Sequence, residues 1–251
     1  MQALTLCLVP EPRFLYHADR LGYMVFAETG NWGLDHTLCE NIYNFLPEWL
    51  EEVERDFSHP SVIGWCPFNE TWDKHGRQQS VALLDTIYDI TKAIDKTRPT
   101  ITVSGSYPTL RTDVHDVHDY EQNPEKFKSY YAEIDQGVIR DQLFRKTPNR
   151  QSYNKKLPVF VSEYGGILWT HSENGNAWGY GKGPATEEEF FERLEGLTDA
   201  LLQNERIFAY CYTQLTDVEQ EQNGVMTYER KLKFPAERFY RIFAKKSVIE
   251  E

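Results

Sequence analysis

The stretch that most constrains the fold is SHPSVIGWCPFNETW, at residues 58–72. Residues 62–67 are a short apolar, β-branched and aromatic run, with His-Pro before it and Asn69-Glu70 after it. This profile predicts a strand that is buried on both faces, as in a parallel sheet. Barrel enzymes place their chemistry at the C-terminal ends of such strands, because the loops there meet in one concave face. A solvated loop is the alternative interpretation of this Asn-Glu pair.

A second stretch, LPVFVSEYGG at residues 157–166, repeats the pattern. A proline precedes an apolar strand predicted at residues 159–161, and Glu163 stands at the C-terminal edge of that strand. Two strand-end glutamates suit glycoside hydrolysis, in which one carboxyl group protonates the leaving oxygen and an ionised carboxylate lies opposite it.

The two stretches HPSVIGWCPFNE and PVFVSEYGG resemble the acid/base and nucleophile signatures of glycoside hydrolase family 2. This family contains β-galactosidases, β-glucuronidases and β-mannosidases, and the resemblance covers about residues 12–246. It implies an α/β fold, the (β/α)8 TIM barrel, with the acid/base at the end of strand four and the nucleophile at the end of strand seven. Glu70 and Glu163 match these positions, and Asn69 matches the asparagine that hydrogen-bonds the sugar 2-hydroxyl.

The resemblance implies a retaining β-glycosidase that hydrolyses O-glycosidic bonds of β-galactoside- or β-glucuronide-type sugars. Glu163 would attack the anomeric carbon while Glu70 protonates the departing oxygen, and Glu70 would then activate the water that releases the sugar. The expected ligand is a carbohydrate, with no cofactor and no metal. The alternative is a catalytically inactive carbohydrate-binding or assembly module with the same fold.

Further strands are predicted at residues 23–27, 100–103 and 207–212, matching strands three, five and eight of the family barrel. Glu28, Asn31 and Trp32 follow the first of these and are expected at the catalytic end, with a solvated loop as the alternative. Helices are predicted at residues 46–57, with Pro47 in the first turn, and at residues 79–95, 186–204 and 235–245, from the spacing of their apolar residues.

The segment DVHDVHDY, at residues 113–120, suggests a metal site because His and Asp are common ligands. On a strand, however, His115 and His118 point to opposite faces, whereas Asp116, His118 and Tyr120 share one face. A joint metal site is therefore disfavoured. The resemblance makes this strand six, and implies that His118 or Tyr120 contacts the nucleophile or the sugar.

Two aromatic regions are candidates for the sugar pocket. Residues 168–184 are rich in glycine and aromatic residues, including Trp169, and we expect them to form a wall of the pocket, with disorder as the alternative. Many family members carry a tryptophan near the end of strand eight. Tyr210 and Tyr212 occupy that region here, so the resemblance predicts a tyrosine platform.

Composition limits the partners of the chain. Its 251 residues suit a single barrel domain, and its net charge of −12 disfavours nucleic-acid and anionic-membrane partners. The four cysteines are scattered without a CxxC motif, which favours reduced thiols and a cytoplasmic location. The opening residues, MQALTLCLVPEP, make a poor signal peptide because they carry no basic region and no small-residue cleavage site, and no stretch approaches the roughly 20 apolar residues of a membrane span.

The resemblance does not include everything that the family's enzymes contain. Nothing matches their amino-terminal β-sandwich and immunoglobulin-like domains, so we expect residues 1–251 to be one catalytic barrel domain. Six strands are clear, residues 5–9 are a candidate remnant of strand two, and strand one has no candidate. The expected barrel is thus truncated at its amino terminus, with an open edge through which copies could form a homo-oligomer or another chain could supply strands. The sugar, its linkage and the activity stay open.

Overall fold

The computed structural model describes residues 3–5, 10–140, 153–170 and 176–250, the first three as backbone only. Strands and helices largely alternate along the chain. The strands are β1 (Ala3–Thr5), β2 (Met24–Glu28), β3 (Val62–Cys66), β4 (His115–Asp119), β5 (Val159–Gly165) and β6 (Ile207–Thr213). The helices are α1 (Pro12–Leu21), α2 (Ile42–Asp56), α3 (Val81–Ile94), α4 (Pro124–Tyr130), α5 (Glu187–Leu202) and α6 (Ala236–Phe243).

The strands form two parallel three-stranded sheets, in the orders β1-β2-β3 and β4-β5-β6. Residues 100–104 lie between the two sheets, where Thr100 bridges to Trp65 and Ser104 bridges to Asn69. On the other side, Cα atoms of β1 lie within 8 Å of those of β6. The strands therefore follow each other around a ring in chain order, as in an α/β barrel. Within the described residues, hydrogen-bonded ladders do not close that ring.

Three strand predictions differ from the structure. The predicted strand at residues 100–103 is reduced to isolated bridges, because the amide of Thr102 turns to the Thr112 hydroxyl instead of a neighbouring strand. The predicted strand at 159–161 continues to Gly165, so Glu163 lies inside it. The amino-terminal strand occurs at Ala3–Thr5 and pairs with β2, whereas residues 6–9 of the predicted strand lie outside the described residues.

The predicted helices are present with shifted ends. Helix α2 begins at Ile42, directly after a 3-10 turn at Cys39–Asn41, so the prediction that Pro47 lies in the first turn is wrong. An interior proline removes one backbone hydrogen bond. Burial of Trp49 and Val53 on the inner face of the helix offsets that loss. The starts of α3 and α5 are capped by the hydroxyls of Ser80 and Thr186, as N-cap residues do.

The core has an outer layer between helices and sheets and a small interior cluster. The interior cluster contains Phe26, Cys66, Ile101, Val114, Phe160 and Ala209. These side chains fill the space enclosed by the strands, so the interior is packed and the strand ends above it are left to form a site. Cys39, Cys66 and Cys211 are free thiols, as expected, while Cys7 lies outside the described residues. No described helix combines the length and apolarity that crossing a bilayer requires.

Candidate active site

Glu70 and Glu163 meet at the C-terminal ends of the strands. Glu70 lies beyond β3 with φ 47°, in the left-handed region that non-glycine residues rarely adopt. Its amide donates to the carbonyl of Ser104 at 2.9 Å, which holds this conformation. One carboxylate oxygen of Glu70, one of Glu163 and a ring nitrogen of His118 all lie within 4.8 Å of one another. The structure thus brings together two carboxyl groups that the sequence places far apart.

The imidazole of His118 lies between the two glutamates. Its Nδ1 is 2.8 Å from Oε1 of Glu70 and 3.4 Å from Oε2 of Glu163. Burial disfavours the charged ring, but the charge of Glu163, the hydrogen bond to Glu70 and the charge of Asp116 outweigh burial and raise the pKa of His118 to about 10. A protonated imidazole donates from both nitrogens, so His118 provides a positive charge between the carboxylates at neutral pH.

Tyr120, the residue directly after β4, also contacts Glu163. Its hydroxyl donates to Oε2 of Glu163 and lies 3.4 Å from the hydroxyl of Thr213. Burial and the charge of Glu163 raise the pKa of Tyr120 well above its ordinary value, so the hydroxyl keeps its proton. The ring stacks on Tyr180 with 3.4 Å between centroids and 3° between planes. This stacking fixes the position from which the hydroxyl donates.

Asn69 is buried beside Glu70 and is held by Asn31. The amide of Asn69 donates to Oδ1 of Asn31 at 2.7 Å, and Nδ2 of Asn31 donates to the carbonyl of Asn69 at 2.9 Å. Oδ1 of Asn69 lies 3.3 Å from the hydroxyl of Ser104. Asn31 was expected at the catalytic end, whereas Ser104 belongs to no motif that the resemblance assigns.

The three other candidate residues lie in different surroundings. Trp32 directly follows Asn31 in the chain and is 56% exposed. The ring of Trp169 packs on Phe234 with 5.0 Å between centroids. The hydroxyl of Tyr212 accepts from the amide of Ile167 at 3.3 Å, and its ring packs against Tyr164. Trp169 and Tyr212 therefore contribute to packing, whereas Trp32 presents an aromatic face to solvent.

Two further buried carboxyl groups lie below the site, and the first of them, Glu28, was expected at the catalytic end. Glu28, at the end of β2, is fully buried, and burial raises its pKa to about 8. Asp116 is also buried, and burial raises its pKa to about 6. Oδ1 of Asp116 accepts from the hydroxyl of Ser162 at 2.7 Å and lies 3.7 Å from Nε2 of His118. The sequence contains a signal for each residue. Glu28 is a third glutamate at the end of a predicted strand, and Asp116 lies on the same strand face as His118.

The group formed by Glu70, His118 and Glu163 also has the spacing of a metal site. Metal coordination requires a neutral imidazole, whereas the pKa of His118, raised to about 10, keeps a proton on the ring at neutral pH. His115 lies apart from this group and packs against Tyr153 with 4.6 Å between ring centroids.

Comparison with known proteins identifies a family and a fold. A family model described as glycosyl hydrolases family 2, TIM barrel domain, matches residues 10–236. A β-glucuronidase from Lactobacillus rhamnosus has a TM-score of 0.67 at 18% identity, over 97% of this chain and 43% of that one. The Bifidobacterium dentium β-glucuronidase complexed with coumarin-3-O-glucuronide has a TM-score of 0.71 at 16% identity, over 97% and 40%. Bacteroides uniformis β-glucuronidase 2 has a TM-score of 0.65 at 16% identity, over 91% of this chain and 29% of that one.

These structural likenesses, all at low identity, concern the fold. The chain spans less than half the length of each of the three enzymes. No curated protein sequence matches it significantly. The family model, in contrast, covers most of the chain and includes both glutamates of the site. The chain therefore belongs to glycoside hydrolase family 2, and the matched region is the TIM barrel domain of that family.

Proposed function

We propose that the chain is a retaining β-glycosidase in which Glu163 is the nucleophile and Glu70 is the acid/base. The observation that carries this proposal is the approach of one Glu70 oxygen to within 4.8 Å of one Glu163 oxygen. Retaining enzymes hold the two carboxyl groups about 5–5.5 Å apart, whereas inverting enzymes need about 6.5–9.5 Å to admit a water molecule. The short separation supports direct attack by Glu163.

The neighbouring groups suit these two roles. The hydrogen bond from Tyr120 and the nearby ring of His118 hold the Glu163 carboxyl group in position for attack. Glu70 is less enclosed, with 31% of its side chain exposed against 15% for Glu163, so it can meet both a leaving group and an incoming water. In this proposal Asn69 donates to the sugar 2-hydroxyl, a bond that strengthens in the transition state.

The proposed substrates are β-galactoside- or β-glucuronide-type sugars, and the structural neighbours favour the glucuronide. One neighbour is complexed with coumarin-3-O-glucuronide, and another is covalently bound to cyclophellitol-6-carboxylate aziridine. In this chain, Tyr180 stacks on Tyr120, and Trp178 packs edge-on against Tyr180 with 47% of its side chain exposed. We propose that residues 176–180 form one wall of the sugar pocket and that Trp32 contributes a second aromatic face.

Hydrolysis of aryl β-glucuronides and aryl β-galactosides by the purified chain tests this function. Glu163→Gln should abolish turnover, because no other carboxylate can form the covalent intermediate. Azide should restore the activity of Glu70→Ala, because this anion attacks the glycosyl-enzyme without the help of a general base. The exposed Glu48→Gln on α2 is the matched control and should behave as wild type. Full activity of Glu163→Gln would refute the nucleophile assignment.

The alternative is a sugar-binding module without turnover. The observation that favours it is the position of Arg13, the first arginine of the chain, which pairs with Glu11 at the surface with 85% of its side chain exposed. In the family that the sequence resembles, strand two normally brings an arginine to the active site, and Arg13 lies past the candidate strand at residues 5–9. Calorimetric titration with glucuronate and galactose, together with the aryl-glycoside assay, separates the two functions: binding without turnover would support the module. Light scattering on the same sample tests the expected association of copies.

A further inference from the structure

Ser104 connects the buried carboxyl group of Glu28 to the Asn69-Glu70 pair. Its side chain is completely buried. The hydroxyl lies 2.7 Å from Oε1 of Glu28 and 3.3 Å from Oδ1 of Asn69. The backbone of Ser104 also holds this loop, because its carbonyl accepts from the amide of Glu70 and its amide donates to the carbonyl of Phe68, each at 2.9 Å. A substitution at Ser104 should therefore alter the positions of both Asn69 and Glu70.

The two contacts of the Ser104 hydroxyl indicate whether Glu28 carries a proton. A serine hydroxyl has a single proton, yet in the observed arrangement it has an oxygen acceptor on each side. Both contacts become hydrogen bonds if Glu28 carries a proton: the carboxylic acid donates to Ser104, and Ser104 donates to Oδ1 of Asn69. If Glu28 were ionised, Ser104 would donate to it, and the amide of Asn69 would have to turn its NH2 group toward Ser104.

The surroundings of Glu28 favour the protonated form. Besides Ser104, its only other hydrogen-bonding neighbour among the described residues is the thiol of Cys66, at 3.5 Å from Oε1, and Oε2 has no partner there. An ionised carboxylate that is buried without a cation or several donors is strongly disfavoured. The charges of Glu163 and Asp116 disfavour ionisation further, and the charge of His118 only partly offsets them, so that the pKa of Glu28 rises to about 8.

We propose that Glu28 is a positioning residue that acts as a neutral hydrogen-bond donor and, through Ser104, fixes the orientation of the Asn69 amide. With Oδ1 held by Ser104, the NH2 group lies on the opposite side, the orientation required of a donor to the sugar 2-hydroxyl. This last step rests on the function proposed above, whereas the protonation of Glu28 and its bond to Ser104 do not.

Substrates with and without the 2-hydroxyl group test the positioning role. Glu28→Met and Ser104→Ala should lower kcat/KM for an aryl glycoside about tenfold, as expected for a lost hydrogen bond to a group that gains charge, but by less than about twofold for the 2-deoxy glycoside. Glu28→Gln should keep the wild-type ratio between the two substrates, because its NH2 group still donates to Ser104. Glu52→Met, which removes another buried carboxyl group, on α2, is the matched control and should also keep that ratio. Equal losses on both substrates, or a Glu28→Gln variant as impaired as Glu28→Met, would overturn the proposal.

Infrared difference spectroscopy provides a test that needs no turnover. The spectrum of wild type minus Glu28→Gln at about pH 6 should contain the C=O stretch of a protonated carboxylic acid. A carboxylate band in its place would overturn the proposal even in a fully active enzyme. Conversely, an inactive wild-type chain that shows the protonated band would refute the proposed glycosidase function and leave the state of Glu28 established.

Discussion

Removal of the Tyr120 hydroxyl is the perturbation that best isolates one contact of the proposed nucleophile. Tyr120→Phe deletes the donor to Glu163 and retains the ring that stacks on Tyr180. The ring is largely buried, with 9% of the residue exposed, so the substitution leaves no large cavity. The change is thus confined to one hydrogen bond between a neutral hydroxyl and a carboxylate.

The expected magnitude follows from the type of bond. A hydrogen bond to a charged group contributes about 1.5–3 kcal/mol, and each 1.4 kcal/mol corresponds to about a tenfold change in rate. Because the bond orients Glu163 for attack, its loss should lower kcat about 10- to 150-fold. KM should change little, since Tyr120 is not required for ground-state binding in this account. Steady-state kinetics with an aryl β-glucuronide measures both constants.

A matched control exists elsewhere in the chain. The hydroxyl of Tyr88 donates to Oδ1 of Asp113 at 2.8 Å, which is also a tyrosine–carboxylate bond. Tyr88→Phe should leave kcat within about twofold of wild type, because neither residue is part of the proposed site. A Tyr120→Phe enzyme as active as Tyr88→Phe would refute the assignment of Tyr120 as the residue that orients the nucleophile.

Two further predictions concern stability and the shape of the site. Asp95 is buried and accepts from Nε1 of Trp65 and from the guanidinium of Arg98, so Asp95→Asn should destabilise the fold by about 3 kcal/mol in urea unfolding at pH 7. Burial alone would raise the pKa of Asp95, but its hydrogen bonds outweigh burial and lower the pKa. The carboxylate therefore stabilises the fold above the unfolded-state pKa of about 4, and this stabilisation is lost as the pH falls below that value. Gly105→Ala should abolish activity, because its Cβ would lie 2.0 Å from the ring of His118 at a φ of +63°; circular dichroism would report whether the fold persists.

Each of these two variants has a control. Asp89→Asn removes a carboxylate from an exposed ion pair with Arg111, in which 50% and 53% of the two side chains are exposed, and should cost less than about 1 kcal/mol. A loss as large as that of Asp95→Asn would contradict the importance given to burial. Gly33→Ala meets nothing within 4 Å and should retain activity. Retained activity in Gly105→Ala as well would show that the position of His118 is not critical.

The sequence predicts the strands best where an apolar run ends at turn-forming or polar residues. Strand β3 and the position of Glu70 beyond it follow from such a run. The segment at residues 100–103 also has strand-like residues, but Thr102 bonds to Thr112 and Arg111 in the following loop, and the ladder is interrupted. Side chains outside the segment decide this outcome, so its own composition could not reveal it.

The site itself was only partly predictable for a related reason. Contacts within the strand from His115 to Asp119 follow from alternation, which correctly groups Asp116 with His118. The bond between Glu28 and Ser104 joins residues 76 positions apart and has no local signature. Aromatic residues are ambiguous as well, since composition alone does not separate a half-buried side chain that packs against the core, such as Trp169, from an exposed one such as Trp32. Only the folded arrangement makes these distinctions.

Covalent trapping of the glycosyl-enzyme tests the central claim most directly. A 2-deoxy-2-fluoro β-glucuronide with a good leaving group should react with the chain and accumulate as the glycosyl-enzyme, because the fluorine slows both steps whereas the good leaving group speeds only the first. Intact-mass measurement should then show one added glycosyl unit, and peptide mapping should place it on Glu163, within β5. An adduct on Glu70, or turnover with inversion at the anomeric carbon and without any adduct, would contradict the account.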